Sequence, residues 1–435
     1  MAWGDHISFP RAILHIDGDA FFAACEVAKN PSLRGKPVVT GKERGIVSAA
    51  TYEAKRLGIK RGVALSEVRK ICPEAIIVPS DYETYSLFSN RMYAIVRRYT
   101  SAVEEYSIDE CFADLTGLRR TFRMSYAEIA QAIKRDLQRE LGMTFSMGLS
   151  ATKVLAKLGS KWEKPDGFTC IPLRDKEQFL AETPCIKVWG IGGNTAAYLE
   201  KHGIQTALQF ANKNEAWVRR TVSKPYFELW QELNGEVALE LDTKGRESYQ
   251  SISKTKTFTP PSADGQFVFS QLSKNIENAC IKARRWNLAS GDIYFFLKTQ
   301  DFRYRGMELR LSHPTNVPQD MLRVVREHFP RIFRPGILYR ATGVTLAKLR
   351  DAGSAQLDLF GSVLKTEGWK KVFESVDGLS RKYGKHAVFL GSSFTAMQFG
   401  THLGERGDVP DRTRDPFRGE TRRKRLAIPT LGSVN

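Results

Sequence analysis

Ile16-Asp17-Gly18-Asp19-Ala20-Phe21-Phe22-Ala23 closes an apolar run, Ala12-Ile13-Leu14-His15-Ile16, that reads as a buried strand stopping at Asp17-Gly18-Asp19. A helix is expected from Ala20 to about Ala28, ended by Asn30-Pro31. Far along the chain, Tyr106-Ser107-Ile108-Asp109-Glu110-Cys111-Phe112 sets Asp109-Glu110 between two apolar-rich strands within 103–115. Carboxylates at strand ends project from a rigid sheet. Brought together in a dry cleft, three like charges would repel and raise each other's pKa. Divalent cations remove that penalty, and hard oxygen ligands select Mg²⁺ or Mn²⁺. Two such ions about 3.5–4 Å apart can brace the attacking and leaving oxygens of a phosphoryl transfer. Alone, a DxD and a DE are weak signals, since acidic turn residues are more often solvated or capping.

Working outward, residues 37–80 are short and mixed, with strands expected near 37–39 and 45–48. Helical patterns follow at about 81–100 and 125–141, then a strand around 144–149 and a helix through Lys161. This alternation, interrupted by an insertion at 21–81, predicts an α+β chain with a mixed sheet and helices packed on it. Residues 172–240 read as small and all-helical. Strands return at 254–258, 292–299, 307–312 and 342–349. A linker at 353–355 and a helix at 363–383 come next, and the Arg-, Gly- and Pro-rich stretch from 401 reads as loosely ordered.

The length allows two to four domains. Lys and Arg number 66 against 48 acidic residues, a net charge of +18, which favours a polyanionic partner, nucleic acid or an acidic membrane surface. No apolar run approaches the about 18 residues of a spanning helix, and the start lacks signal-peptide character, so no membrane role is expected. The six cysteines are scattered singly, with no metal-ligand spacing. That is the pattern of reduced thiols in a cytoplasmic protein without structural zinc.

With these stretches in hand, the chain resembles the Y-family DNA polymerases over roughly residues 10–350, Tyr-Ser-Ile-Asp-Glu at 106–110 being the more specific mark. The first 350 residues are similar to the bacterial polymerase IV branch, and the tail partly to the polymerase V catalytic subunit. The resemblance implies a multidomain right-hand polymerase. Its palm (mixed sheet plus helices) spans 1–20 and 82–171, with small fingers at 21–81. A helical thumb with a helix-hairpin-helix occupies 172–240, and an α/β little finger domain 250–350. A linker at 351–362 and a C-terminal helix and basic tail at 363–435 complete the chain.

Asp17, Asp109 and Glu110 match the family's catalytic, metal-binding carboxylates, and the carbonyl of Gly18 its backbone ligand; Asp19 matches a supporting position. The implied cofactor is a pair of Mg²⁺ ions, with Mn²⁺ as substitute. Phe22 matches the steric gate against a ribose 2′-hydroxyl, and Phe21 beside it is implied as a further nucleotide-binding residue. A plain core aromatic is the competing reading, because Phe21-Phe22 opens an apolar helix face. Tyr52 and Lys55 match phosphate contacts, although Lys stands where relatives carry Arg and supplies no bidentate fork. Ala49 likewise stands where a hydroxyl residue is common. Lys164 matches a further phosphate-binding lysine.

Val188-Trp189-Gly190-Ile191-Gly192-Gly193 resembles a helix-hairpin-helix turn, whose Gly190 and Gly192 let backbone amides approach a DNA phosphate. Ser251, Lys254 and Arg340 match positions near the template backbone. Gln356-Leu357-Asp358-Leu359-Phe360 resembles the bacterial sliding-clamp pentapeptide, with Gln356, Leu357, Leu359 and Phe360 as its contacts. The run Arg422-Arg423-Lys424-Arg425 reads equally as a DNA contact or as solvated charge. The resemblance thus implies a monomer binding primer–template DNA, incoming dNTP and the clamp. It would extend primers opposite damaged or undamaged template without proofreading. A nucleotide cyclase and a silent adaptor bridging DNA and clamp are the rivals. The adaptor would be expected to have lost the carboxylates.

Overall fold

The computed structural model describes residues 11–244, 248–354, 362–383 and 386–398. The pentapeptide 356–360 and the basic run 422–425 lie outside the described residues. The chain divides into two compact units that part near residue 245.

The first unit opens with β1, Ile13–Gly18. Three short strands follow, β2 (Val38–Thr40), β3 (Ala49–Ala50) and β4 (Ile76–Val78), which form a small separate sheet in the order β3-β2-β4. The strand expected at 45–48 is reduced to one bridge, Ile46 to Ala64. Gly41 and Gly45 sit at φ 113° and 71° around a helical turn, so the chain cannot run extended through them. Val39, Val47, Ala54, Ile59 and Val68 give this module its own core.

Then come β5 (Val103–Ser107), β6 (Glu110–Asp114), β7 (Phe145–Ser150) and β8 (Phe168–Cys170). With β1 they make a five-stranded sheet ordered β5-β6-β1-β7-β8, mixed because β7 and β8 run parallel. β1 is central, and alternation sends its side chains to opposite faces. Leu14 and Ile16 enter the larger core with Tyr85, Phe88, Ile129 and Ile133 of the helices Tyr82–Val96 and Tyr126–Leu141. A capping box of Ser125 and Glu128 starts the second of these helices. Phe21, Cys25 and Ala28 of the helix Phe21–Lys29 pack into this same core.

On the other face, Ile13 packs with Phe112 and with Ala156 of the helix Lys153–Trp162. That helix lies close on the sheet. A Cβ on Gly148 would sit 2.0 Å from the Ala156 carbonyl oxygen and 2.3 Å from the Ser160 nitrogen.

Within 172–240 the helices Lys176–Glu182, Gly193–Lys201, Ala207–Ala211, Glu215–Thr221 and Lys224–Asn234 pack around their own core. The buried Glu232 carboxylate fastens this bundle to the start of the helix Lys153–Trp162. One oxygen accepts from the Val154 amide (3.2 Å), the other from the amides of Ala238 (3.0 Å) and Leu239 (2.9 Å). The Thr152 hydroxyl donates to the Glu232 carbonyl at 2.9 Å.

The second unit holds β9 (Ile252–Ser262), helix Gly265–Arg285, β10 (Leu288–Thr299), β11 (Tyr304–Thr315), helix Pro318–Ile332 and β12 (Tyr339–Asp351). Its sheet is antiparallel throughout, ordered β11-β10-β12-β9. Ile293, Phe295 and Leu297 of β10 are buried in the core that both helices share, while Tyr294, Phe296 and Lys298 alternate with them on the open face. The helix Ser362–Tyr383 follows, and Arg284 grips its Asp377 through two hydrogen bonds of 2.7 and 2.8 Å.

Candidate active site

The register of β1 against β6 sets Asp17 directly opposite Glu110 and His15 opposite Phe112, so Ile13, His15 and Asp17 share the face under the helix Lys153–Trp162. The Gly18 amide donates to the Asp109 carbonyl at 2.8 Å. Two carboxyl-bearing segments 92 positions apart are thereby fixed side by side at one sheet end.

The acidic oxygens have partners. Lys164 pairs with Asp17, Lys157 with Glu110, and the Ser107 hydroxyl donates to Asp109. Asp19 is buried, its oxygens accepting from the Ser146 hydroxyl and the Asp166 amide, both at 2.8 Å. Burial pushes the Asp17 carboxyl up to about 6, against the opposing pull of Lys164. For Glu110, burial also pushes upward, but the hydrogen bond from His15 and the Lys157 ammonium prevail and hold it at about 2. Neighbouring carboxyls are thus driven apart in acidity by their surroundings.

Oxygen donors dominate this end of the sheet: two opposed carboxylates, Asp109 beside them, and the Gly18 carbonyl. That donor chemistry fits a hard divalent cation. Among the described residues, no three acidic, His or Cys side chains converge as a ready-made ligand set.

Phe22 is half-buried. Its ring stacks on Tyr85 (centroids 4.5 Å, 11° apart) and meets Tyr82 edge-on at 5.5 Å. Tyr85 donates to Glu26 at 2.7 Å, which fixes the ring under Phe22. Phe21 lies in the core against Gly18, where a Cβ would come within 2.7 Å of the ring. The Lys55 ammonium rests over the Tyr52 ring at 4.0 Å. Burial and then Asp19 and Asp17 push the Tyr52 hydroxyl up to about 12, and burial and Lys164 lower the Lys55 ammonium from its ordinary value. Tyr52, Lys55 and Lys164 therefore border the carboxylates from one side.

Gly190, at φ 89°, lies against Leu229, while Gly192 caps the helix Gly193–Lys201 and is exposed with no atom near its missing side chain. Ser251 is exposed just before β9, and Arg340 lies over the Phe302 ring at 4.3 Å.

Sequence reasoning passed over three residues of this centre. His15 is fully buried, with Nδ1 2.7 Å from the Ser160 hydroxyl and Nε2 3.1 Å from Glu110. Lys157 and Lys153 are buried lysines. Lys153 pairs with Glu104 at 2.6 Å, and Lys157 lies over the Tyr106 ring at 4.4 Å. Signals were available: a histidine inside an apolar strand, and lysines at 153, 157 and 161, four apart on one helix face.

The impB/mucB/samB family matches residues 16–161, its C-terminal domain 249–359, and the IMS family HHH motif 174–204. DNA polymerase IV of Bacillus velezensis is 30% identical over 391 residues, covering 88% of this chain and 93% of the relative. DNA polymerase IV of Streptococcus pyogenes serotype M1 is 32% identical over 356 residues, 80% of this chain and 97% of the relative. Among solved structures, the Y-family DNA polymerase chimera Dbh-Dpo4(243-245)-Dbh superposes with a TM-score of 0.66 at 26% identity, covering 78% of this chain and 99% of its own. Fold and site together define a right-hand polymerase, and the chain belongs to the Y-family DNA polymerases. Within that family it is similar to the DNA polymerase IV enzymes, and it is a DNA-directed DNA polymerase of translesion synthesis and repair whose catalysis depends on divalent metal. The adaptor reading is not favoured by these matches. No helix among the described residues is long and apolar enough to cross a membrane.

Proposed function

We propose that the protein joins a primer 3′-hydroxyl to the α-phosphate of a dNTP with release of pyrophosphate, and that Asp17, Asp109, Glu110 and the Gly18 carbonyl would hold two Mg²⁺ ions for it, with Mn²⁺ as substitute. The observation that carries this reading is the in-register pairing of Asp17 with Glu110 beside the Gly18–Asp109 backbone bond. When bound, the ions would supply Lewis-acid polarisation of hydroxyl and phosphate. The protein's own groups do the rest. Lys164, Lys55 and Tyr52 offer cations and a donor for the triphosphate, and the stacked Phe22 ring occupies the room a ribose 2′-hydroxyl would need.

Primer–template DNA is gripped through the exposed backbone at Gly190 and Gly192 and through Ser251, Lys254 and Arg340. Such contacts are sequence-independent. The pentapeptide at 356–360 supports docking to a bacterial sliding clamp, which would restore processivity to a monomeric, loosely gripping, cytoplasmic enzyme. The palm, fingers, thumb and little finger are assigned to the residue ranges given above.

The test is primer extension with dNTPs and Mg²⁺, run beside Asp109→Ala/Glu110→Ala. Template-dependent extension that the double variant loses, while still binding primer–template, supports the assignment. Wild-type protein that binds but never extends, with Mn²⁺ and clamp also supplied, overturns it.

A further inference from the structure

His15 interrupts the apolar run of β1 on the face that the helix Lys153–Trp162 covers. Register sets it between Phe112 of β6 and Gly148 of β7. The Phe112 ring tilts against the imidazole, with centroids 4.5 Å apart. On the other side Gly148 offers no side chain, and the helix settles there through its own Gly159, where a Cβ would lie 3.2 Å from the Gly148 Cα. Ser160, the next residue, is thereby brought onto the ring.

The proton on His15 can be placed from its partners. Nε2 lies 3.1 Å from Glu110 Oε2, and an ionised carboxylate oxygen only accepts, so Nε2 carries the proton and donates. The ring is fully buried and neutral, which makes Nδ1 an acceptor. The Ser160 hydroxyl stands 2.7 Å from Nδ1 and 2.9 Å from the Lys157 carbonyl, and turns its proton to the nitrogen. Lys157 pairs with the same carboxylate oxygen, Oε2. Its ammonium is boxed by the rings of Tyr106 at 4.4 Å, Trp189 at 5.4 Å and Phe112 at 5.9 Å. Two donors from different elements thus converge on one oxygen of Glu110, and Oε1 is left to ligate.

Packing alone would be served by any two partners for a buried imidazole. Here one partner is a carboxylate to which the proposed function gives a cation. A carboxylate held in one orientation has already lost on folding the rotational freedom that an unheld one would lose when the ion enters. We propose that His15 is a positioning residue: with its tautomer set by Ser160, it holds Glu110 by Oε2 so that Oε1 is the oxygen presented to a divalent cation. This inference rests on the carboxylates holding metal, as proposed above. Groups that orient a metal ligand in this way change metal affinity by about 10- to 100-fold.

The test follows free Mn²⁺ by its electron paramagnetic resonance signal, using the full chain with a dideoxy-terminated primer–template and the next dNTP. Asp109→Ala/Glu110→Ala gives the baseline of Mn²⁺ held by the nucleotide alone. Above that baseline, His15→Leu should bind Mn²⁺ about tenfold or more weakly than wild type. Its primer extension should need correspondingly more Mn²⁺ and recover as metal saturates. His15→Gln places an amide N–H where Nε2 stood and should bind Mn²⁺ nearly as wild type, with Ser160→Ala between the two. A role in packing alone would lower the melting temperature of both His15 variants and leave Mn²⁺ affinity unmoved. Wild-type affinity in His15→Leu, or an equal loss in His15→Gln, would overturn the positioning role. Wild type that binds no more Mn²⁺ than Asp109→Ala/Glu110→Ala would overturn the metal reading and this inference together.

Discussion

The two large sheets of this polymerase use glycine to opposite ends. In the palm, Gly148 admits a helix onto the sheet, and the resulting dry layer encloses His15, Lys157 and the edge of Glu110. In the little finger, Gly306 and Gly343 admit only rings, and the face stays open. A covered sheet concentrates its chemistry in a few charged groups whose surroundings set their state. An open one spreads it over many weak contacts, each screened by water. Sensitivity to substitution should follow the same division.

The sharpest break of the comparison is at the palm carboxylates. Asp109→Ala/Glu110→Ala should lower the rate of primer extension by about a thousandfold or more, which is about 4 kcal/mol of barrier, with primer–template binding retained. Next in size is the pH response of His15, whose pKa burial lowers from 6.5 to about 4. Unfolded protein takes up that proton below pH 6.5 and folded protein does not. Stability should therefore fall as pH drops from 6.5 towards 4, by up to about 3 kcal/mol. Denaturant melts with chelator present should show a flatter profile in His15→Gln; an unchanged profile would refute the assignment.

Gly148→Ala should cost about 2 kcal/mol by overpacking, read as a lower denaturant midpoint. Smallest is the edge strand β9 of the second sheet, where Lys254 pairs with Val344. Lys254→Gln should weaken duplex binding only a few-fold and reduce the salt slope by about 0.9. A loss as large as that at Asp109 would dissolve the contrast between the sheets.

Much of this was legible in the sequence, because the signals were local. The apolar run to Ile16 gave β1, Asp17 and Glu110 were marked by strand ends, and the helices at 126–141 and 153–162 carried their own periods and caps. What stayed hidden depended on register or on a neighbour brought from afar. Nothing in the chain says that Lys157 will reach Glu110, since that follows from Gly148 letting a helix settle on the sheet. Strands β10 to β12 are several residues longer than their apolar cores suggested, because aromatic and cationic side chains on the open face interrupt the pattern. The short strands β4 and β8 stayed hidden as well.

Glu232 bears on how such polymerases can be recombined. One carboxylate secures the first turn of the palm helix and the chain leaving the thumb, so neither segment keeps its amide partners without the other. A junction placed between residues 171 and 172 would separate Thr152 and Val154 from the group they were shaped around. Grafting a thumb from a relative should succeed when residues 152–154 and 229–240 travel as one inheritance, and otherwise leave a buried charge unanswered.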